Sequence, residues 1–460
     1  MGRACAAFVT AGLGLAACAV FVVSPASAAP GPSAAPASAD ERAAPGWVAR
    51  FGDQTIPRRP AEALLRLARR EQPALTLPEL TRHLALDLLL GDAAAREVGD
   101  ATLFASRRVA FAPEADTRRQ WLATLQQIWP ERIDRAWTGA RLEQPVSVDG
   151  RAWTALWADG QGSGLRLDEA LDDRQRDAAS RLVLLRHRAF GGLPAGAISV
   201  ADIWPLQNVQ GRRMLRMGEL DFARAQARQL LRERFVEQWL RRDSGWSEAE
   251  LDFVRRVVQA RQRKLAWVRW QGLSGDPHGD APARAALAAS VREDEIGAYY
   301  RAHLDRFTRL EAVDGLHLRC PDAACGEGSD LRGQPGVKTL AWRLGDPKPA
   351  VELDAWALDL LQAWPVGVAS PAIRHPDGHG WERVQAIAVK RGHHPLDSET
   401  VRHEARQAIA QEKLEAAWRR RQRELLATAD LQWAPGMSAP ALPFEPELPP
   451  KGGEEHGHAH

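Results

Sequence analysis

Apolar residues first organise at Val48-Ala49-Arg50-Phe51-Gly52-Asp53-Gln54-Thr55-Ile56, where they alternate on both sides of a Gly-Asp pair and predict a small hairpin. The period then lengthens. Leu77, Leu80, Leu84, Leu88 and Ala95 keep helical spacing, with Gly91 and Gly99 as weak points or stops. From 101 to 200, Pro130, Pro145, Gly150, Gly160 to Gly164 and Gly191-Gly192 break the chain into short pieces. Trp121, Trp129, Trp137, Trp153 and Trp157 supply apolar mass there; core packing is its ordinary use, peptide binding the alternative. At Ile198-Ser199-Val200 the N-terminal pattern returns, a strand-like piece ahead of a polar helix. Phe222 to Arg242 then places Ala223, Ala227, Leu231, Phe235 and Trp239 at steps of four, a face that needs cover. Ser247-Glu248-Ala249-Glu250 reads as a capping box opening a helix with the stripe Leu251, Val254, Val258 and Leu265. The Gly- and Pro-rich stretch Gly272 to Pro282 marks a boundary.

Beyond it, Ser290-Val291-Arg292-Glu293 reads as a second capping box, for a helix carrying Tyr299 and Tyr300, the only two tyrosines in 460 residues. An alternating segment follows and ends at Leu316-His317-Leu318-Arg319-Cys320. Ser398 to Ala427 is a strongly charged helix whose apolar members are Val401, Ala405, Ala408, Ile409, Leu414, Trp418 and Leu425. By charge alone it reads as solvated and free-standing.

Composition narrows the class. The length allows roughly two to four domains, and 45% hydrophobic residues suffice for real cores. With 61 basic and 59 acidic side chains intermixed, no sustained basic face emerges, so nucleic acid is not an expected partner. The N-terminus has Arg3, an apolar run from Ala6 to Val23 and then Ser24-Pro25-Ala26-Ser27-Ala28-Ala29, which reads as a signal peptide cleaved after Ala28, hence a periplasmic or otherwise exported protein without a stable membrane span. Two alternatives stand beside this: about 18 apolar residues can just span a bilayer as an uncleaved anchor, and Leu15-Ala16-Ala17-Cys18 resembles a lipoprotein cleavage box. Residues 29–45, mostly Ala, Pro and Ser, form a disordered linker. Of four cysteines, Cys5 and Cys18 leave with the signal, and Cys320 and Cys325 remain in an oxidising compartment.

The stretch Asp294-Glu295-Ile296-Gly297-Ala298-Tyr299-Tyr300, followed by Asp305-Arg306-Phe307 and Leu316-His317-Leu318, resembles the approach to a parvulin domain in exported SurA- and PpiC-like folding factors. Val48 to Ile56 is similar to that family's N-terminal hairpin, and Leu84 to Ala95 to its first chaperone helix. Glu352 to Leu358 resembles the second parvulin helix, Gly367 to Ile373 the approach to a strand, and Gly380-Trp381-Glu382-Arg383-Val384 the last strand. The resemblance implies a mostly α fold with a small α+β domain. Residues 46–289 form a helical chaperone region and 290–393 an eroded parvulin-like domain. A C-terminal helix, 394–433, packs back on the N-terminal region, and 434–460 is a Pro-rich and His-rich tail.

The chemistry it implies is incomplete. Parvulins lower the amide-rotation barrier, roughly 18–20 kcal/mol, by desolvating the amide and favouring its twisted geometry, with two histidines on the floor of the site. His317 matches the first; Glu382 stands where the second belongs, and Val351 or its neighbours stand where the pocket Phe is expected. Val351, Trp356 and Trp381 are then the binding candidates. Between His317 and Leu340 the family has a long helix, whereas Pro321 to Gly336 holds four glycines, two prolines and no apolar period. Structural hydrogen bonding is the plainer use of His317. In the shortened connection Cys320 and Cys325 suit a disulfide, a metal pair with His317 being the rival. His456, His458 and His460 alternate in the tail, either as incidental polar residues or as ligands for Zn, Cu or Ni; no cofactor is otherwise expected.

Two functions follow as expectations. One is a parvulin-type peptidyl-prolyl isomerase relative acting mainly as a chaperone that holds unfolded or extended polypeptide in a cleft. The other is a dedicated assembly partner for one client, with the His tail as its link to metal handling.

Overall fold

The computed structural model describes residues 46–105, 113–144, 146–158, 170–274, 281–320, 322, 330–347, 352–375, 378, 380–441, 443–446 and 448. The expected signal peptide and linker, Val351, Cys325, the side chain of Cys320, and His456, His458 and His460 lie outside these residues. The chain divides into two compact units. One combines the residues up to Ala283 with those from Leu414 onward; the other is Arg284–Lys413.

In the first unit, β1 (Trp47–Phe51) and β2 (Gln54–Pro57) form the expected hairpin, turning through Gly52 at φ 52°. Then come α1 (Arg58–Ala68), α2 (Leu77–Glu97), α3 (Asp100–Leu103), α4 (Pro113–Ile128) and α5 (Pro130–Ala140). Thr76 opens α2 by a reciprocal cap: the Glu79 carboxylate accepts from the Thr76 N–H at 2.8 Å, and Thr76 Oγ1 accepts from the Glu79 N–H at 3.4 Å. Shorter pieces follow: β3 (Glu143–Gln144), α6 (Gly150–Trp157), α7 (Asp173–Arg181), β4 (Val183–His187) and β5 (Gly196–Ser199). The three strands pair antiparallel in the order β3-β4-β5. β5 runs straight into α8 (Val200–Ile203), as β2 runs into α1. After α9 (Val209–Arg216) come two long helices, α10 (Leu220–Asp243) and α11 (Glu248–Gln271). Ser247 and Glu250 cap α11 as expected, and Gly272 in the left-handed region, φ 82°, ends it.

The second unit contains α12 (Pro282–Ala289) from its third residue, α13 (Glu293–Ala302), β6 (Thr308–Cys320), β7 (Lys338–Arg343), α14 (Glu352–Ala363), β8 (Ile373–Arg374) and β9 (Trp381–His393). Its strands form one antiparallel sheet in the order β7-β6-β9-β8. α15 (Glu399–Thr428) follows, and β10 (Gln432–Trp433) is the last described strand, paired with the outer edge of β1. The fold is therefore mostly α with small antiparallel sheets. No described helix is long and apolar enough to cross a membrane.

Several local expectations need correction. Ser290 does not cap α13. Its Oγ donates to Leu287 O at 2.7 Å, finishing α12, while the Glu295 carboxylate accepts from the Arg292 N–H at 3.0 Å and sets the start of α13 there. Gly91 does not stop α2 but lies inside it, where a Cβ would meet Ala260 Cα of α11 at 2.5 Å; the two helices touch through the missing side chain. Leu265 is 43% exposed, and α11 buries Ala266, Trp267 and Val268 instead. β9 runs far past Val384, to His393.

Packing explains the rest. All five expected α10 residues are buried, with Trp137 edge-on to Phe235 at 5.1 Å. Trp121, Trp153 and Trp157 are buried in the same core, and Trp129 and Trp137 are packed partly buried against it. Asp87 of α2 is buried, with Arg261 and Lys264 of α11 each at 2.7 Å from its carboxylate, so the charge is paired where burial would otherwise make it costly. α15 is not solvated on all sides. Val401, Ala405 and Ile409 pack with Val291, Ile296 and Tyr299 in the second unit; Leu414, Trp418 and Leu425 join Leu86, Leu90 and Trp267 in the first.

Candidate functional site

The sheet of the second unit sorts side chains by face, as the pleat requires. Val313, Gly315 and His317 of β6 share one face; Leu316 and Leu318 take the other. α14 covers the first face, packing Ala357, Leu358 and Leu361 on Val313, Val384 and Ala386. Gly315 permits this approach, since a Cβ there would stand 2.3 Å from Leu361 Cδ2.

His317 follows on the same face. It pairs across the ladder with Val384, which makes Glu382 its diagonal neighbour. Nε2 of His317 lies 2.9 Å from Glu382 Oε2, and the two side chains are 5% and 0% exposed. With Glu382 ionised, the Nε2–H donates. The other carboxylate oxygen is also buried, with no hydrogen-bond donor among the described residues. Desolvating such a pair is costly, and the mutual bond is the main offset. Chemically the arrangement fixes and orients an imidazole and closes it off from solvent. Beside it, β8 sets Ile373 opposite Glu382, and the next turn buries His375, edge-on to Trp356 of α14 at 4.9 Å.

The opposite face packs Leu316, Leu318 and Leu331, with Trp381 half-buried against them. Trp381 is thus separated from His317 by the thickness of the sheet, whereas Trp356 is on the α14 side with His375. Buried polar residues on β9 hold the loops. Gln385 accepts from the Leu331 N–H at 2.7 Å and donates to Gly367 O at 3.1 Å. Arg383 Nε donates to Ser370 O at 2.8 Å, and Ser370 Oγ accepts from the Val384 N–H at 2.9 Å. Next to Leu331, Asp330 accepts from the Arg332 N–H, which holds its carboxyl below the usual range.

Of the sequence-derived candidates, His317 and Glu382 are brought into contact and Trp356 and Trp381 are kept apart. Val351, Cys325, the Cys320 side chain and the three tail histidines fall outside the described residues. Among the described residues, no three His, Cys, Asp or Glu side chains gather as a metal site. Sequence reading missed His375, Ser370 and Gln385. Gln385 is in a strand, where a polar residue reads as solvent-facing, while Ser370 and His375 lie between strands, and nothing in their spacing marks any of the three as buried. Compared with protein-family models, with curated proteins and with solved structures, the chain matches none.

Proposed function

We propose that this chain is an exported folding factor, a SurA- and PpiC-like relative of the parvulin-type isomerases, that acts mainly as a chaperone for unfolded polypeptide. One observation carries the reading: a helical unit is built from both ends of the chain, with a contiguous sheet unit, Arg284–Lys413, inserted between them. β1 pairs with β10, and α2 and α11 share an apolar cluster with the last half of α15. The resemblance implies a helical body interrupted by one domain, with all of 394–433 on that body; here only the part of α15 from Leu414 onward belongs to the first unit, and the part before it packs with the second.

The buried His317–Glu382 bond supports a holding role over catalysis, because an imidazole engaged at Nε2 and closed off from solvent has no access to a prolyl amide. The test is suppression of aggregation for several unrelated unfolded proteins at near-stoichiometric ratio. Protection of most of them is expected. Protection of none overturns the reading, and protection of one alone replaces it with a dedicated assembly partner.

A further inference from the structure

After β10 the chain turns through Gly436, φ 80°, with the Met437 N–H donating to Ala434 O at 2.9 Å. It then lies on the helices of the first unit. Phe444 and Leu448 pack against the apolar cluster that contains Leu86, Leu90, Trp267, Trp418 and Leu425, and the Arg82 guanidinium stands over the Phe444 ring at 5.5 Å. Phe444, Pro446 and Leu448 are half-buried while Pro443 and Glu445 are exposed, the alternation of an extended chain with one face down. Among the described residues, no backbone hydrogen bond ties this stretch to the helices. The contacts described for it are made by side chains, and its prolines already favour extended backbone, so little order is lost on docking. Beside the same cluster is an open cavity of about 240 Å³ with an apolar wall of Trp267, Trp418 and Leu414 and a charged rim that includes Glu97, Arg421 and Glu424; no described residue of the tail lines it.

We propose that this surface of the first unit is a seat for extended, proline-containing client segments bearing large apolar side chains at alternate positions, and that the Phe444–Leu448 stretch is a tethered occupant which such a client displaces. The inference rests on the chaperone reading above and names where that activity resides. The tail itself shows the ligand chemistry: aromatic and aliphatic anchors spaced along an extended, proline-interrupted strand, received by a surface lined with tryptophan and leucine. A tether also makes the occupant competitive although its contacts are few, because its effective concentration is in the range of millimolar. Between clients it covers apolar surface that would otherwise associate.

The test uses the full chain and a labelled synthetic peptide spanning residues 438–450. In the double variant Phe444→Ser, Leu448→Ser the seat is open, and the peptide should bind about tenfold more tightly than to the unaltered chain, where the fraction of open seat limits apparent affinity. A peptide with the same two replacements should bind neither, and excess reduced, carboxymethylated unfolded protein should displace the unaltered one. On the unaltered chain, that unfolded protein should also speed proteolytic trimming of the tail. A folded double variant that binds the peptide no better than the parent overturns the proposal, as does binding that unfolded protein cannot displace, which makes the tail a fixed staple. Unchanged trimming overturns it whether or not the variant folds. If the parent still suppresses aggregation in these cases, the chaperone reading survives and only the seat is lost.

Discussion

Nε2 of His317 and Oε2 of Glu382 meet at 2.9 Å across the β6–β9 ladder, in an interior that leaves neither side chain more than 5% exposed. A protease-coupled assay on an Xaa-Pro peptide should therefore show turnover indistinguishable from the uncatalysed rate. His317→Ala should lower stability and not turnover, by about 3–5 kcal/mol, since one buried polar partner is left behind. Replacing both, His317→Leu with Glu382→Met, should restore most of that loss. Catalysis abolished by His317→Ala is the result that would contradict this.

Gly91 gives a second case. Alanine normally favours a helix interior by about 1 kcal/mol over glycine. Here the added methyl would fall 2.5 Å from the Ala260 Cα, on backbone that cannot rotate away. Gly91→Ala should therefore destabilise the first unit by about 1–3 kcal/mol, the usual range for overpacking, read as a lower denaturant midpoint. A rise in the midpoint would show that α2 and α11 separate easily.

Acid should weaken the first unit in two stages. Burial lowers the His83 pKa from 6.5 to about 4, although Asp87 opposes the shift; Arg82, Lys264 and Arg261 reinforce it. Between those values the unfolded chain takes up a proton that the folded one refuses, so stability falls as pH drops, by about 3 kcal/mol across the window. Asp87 acts lower down. Burial would raise its pKa, but Lys264 and Arg261 outweigh that and hold it at about 2. Its contribution is complete above the ordinary value of 3.8 and is lost as pH falls toward 2. In His83→Gln the stability change between pH 6.5 and 4 should vanish, leaving the lower stage in place, as followed by urea unfolding at each pH.

Trp418 tests the closure of the first unit by α15. It is buried and edge-on to Trp267 at 5.5 Å. Trp418→Ala should cost about 3–5 kcal/mol as a large core truncation and increase binding of an apolar dye. Unchanged stability would mean that the last half of α15 contributes little to that core.

Much of this was legible where one face of an element repeats often enough to be seen. Alternation around Gly52-Asp53 gave β1 and β2, steps of four gave α10, and Ser247 with Glu250 gave the start of α11. The misses have specific physical reasons. Two side chains competed for the cap of α13, and Glu295 reached the Arg292 N–H while Ser290 bonded backward. The second half of β9 has no buried residue and ends in Lys390-Arg391-Gly392-His393, so no face repeats there to mark it as a strand. β10 is only Gln432–Trp433, too short for any period. At the candidate site the sequence supplied His317 and Glu382 but not their contact, which depends on the ladder register. Gln385 and Ser370 were hidden because their partners are backbone groups far away in sequence, the Leu331 N–H for one and the Val384 N–H for the other.

Ala49 of β1 stands in register with Trp433 of β10, and this fixes an order of events. As the chain is made, at roughly 5–20 residues per second, the partner of Ala49 arrives only after a delay on the order of tens of seconds. Throughout that time the outer edge of β1 offers unpaired N–H and C=O groups to any neighbouring strand. The inserted unit is contiguous and has all of its residues before the surrounding one does, so it is the part able to finish first. The nascent chain thus carries a vulnerable sheet edge until its last described strand has emerged.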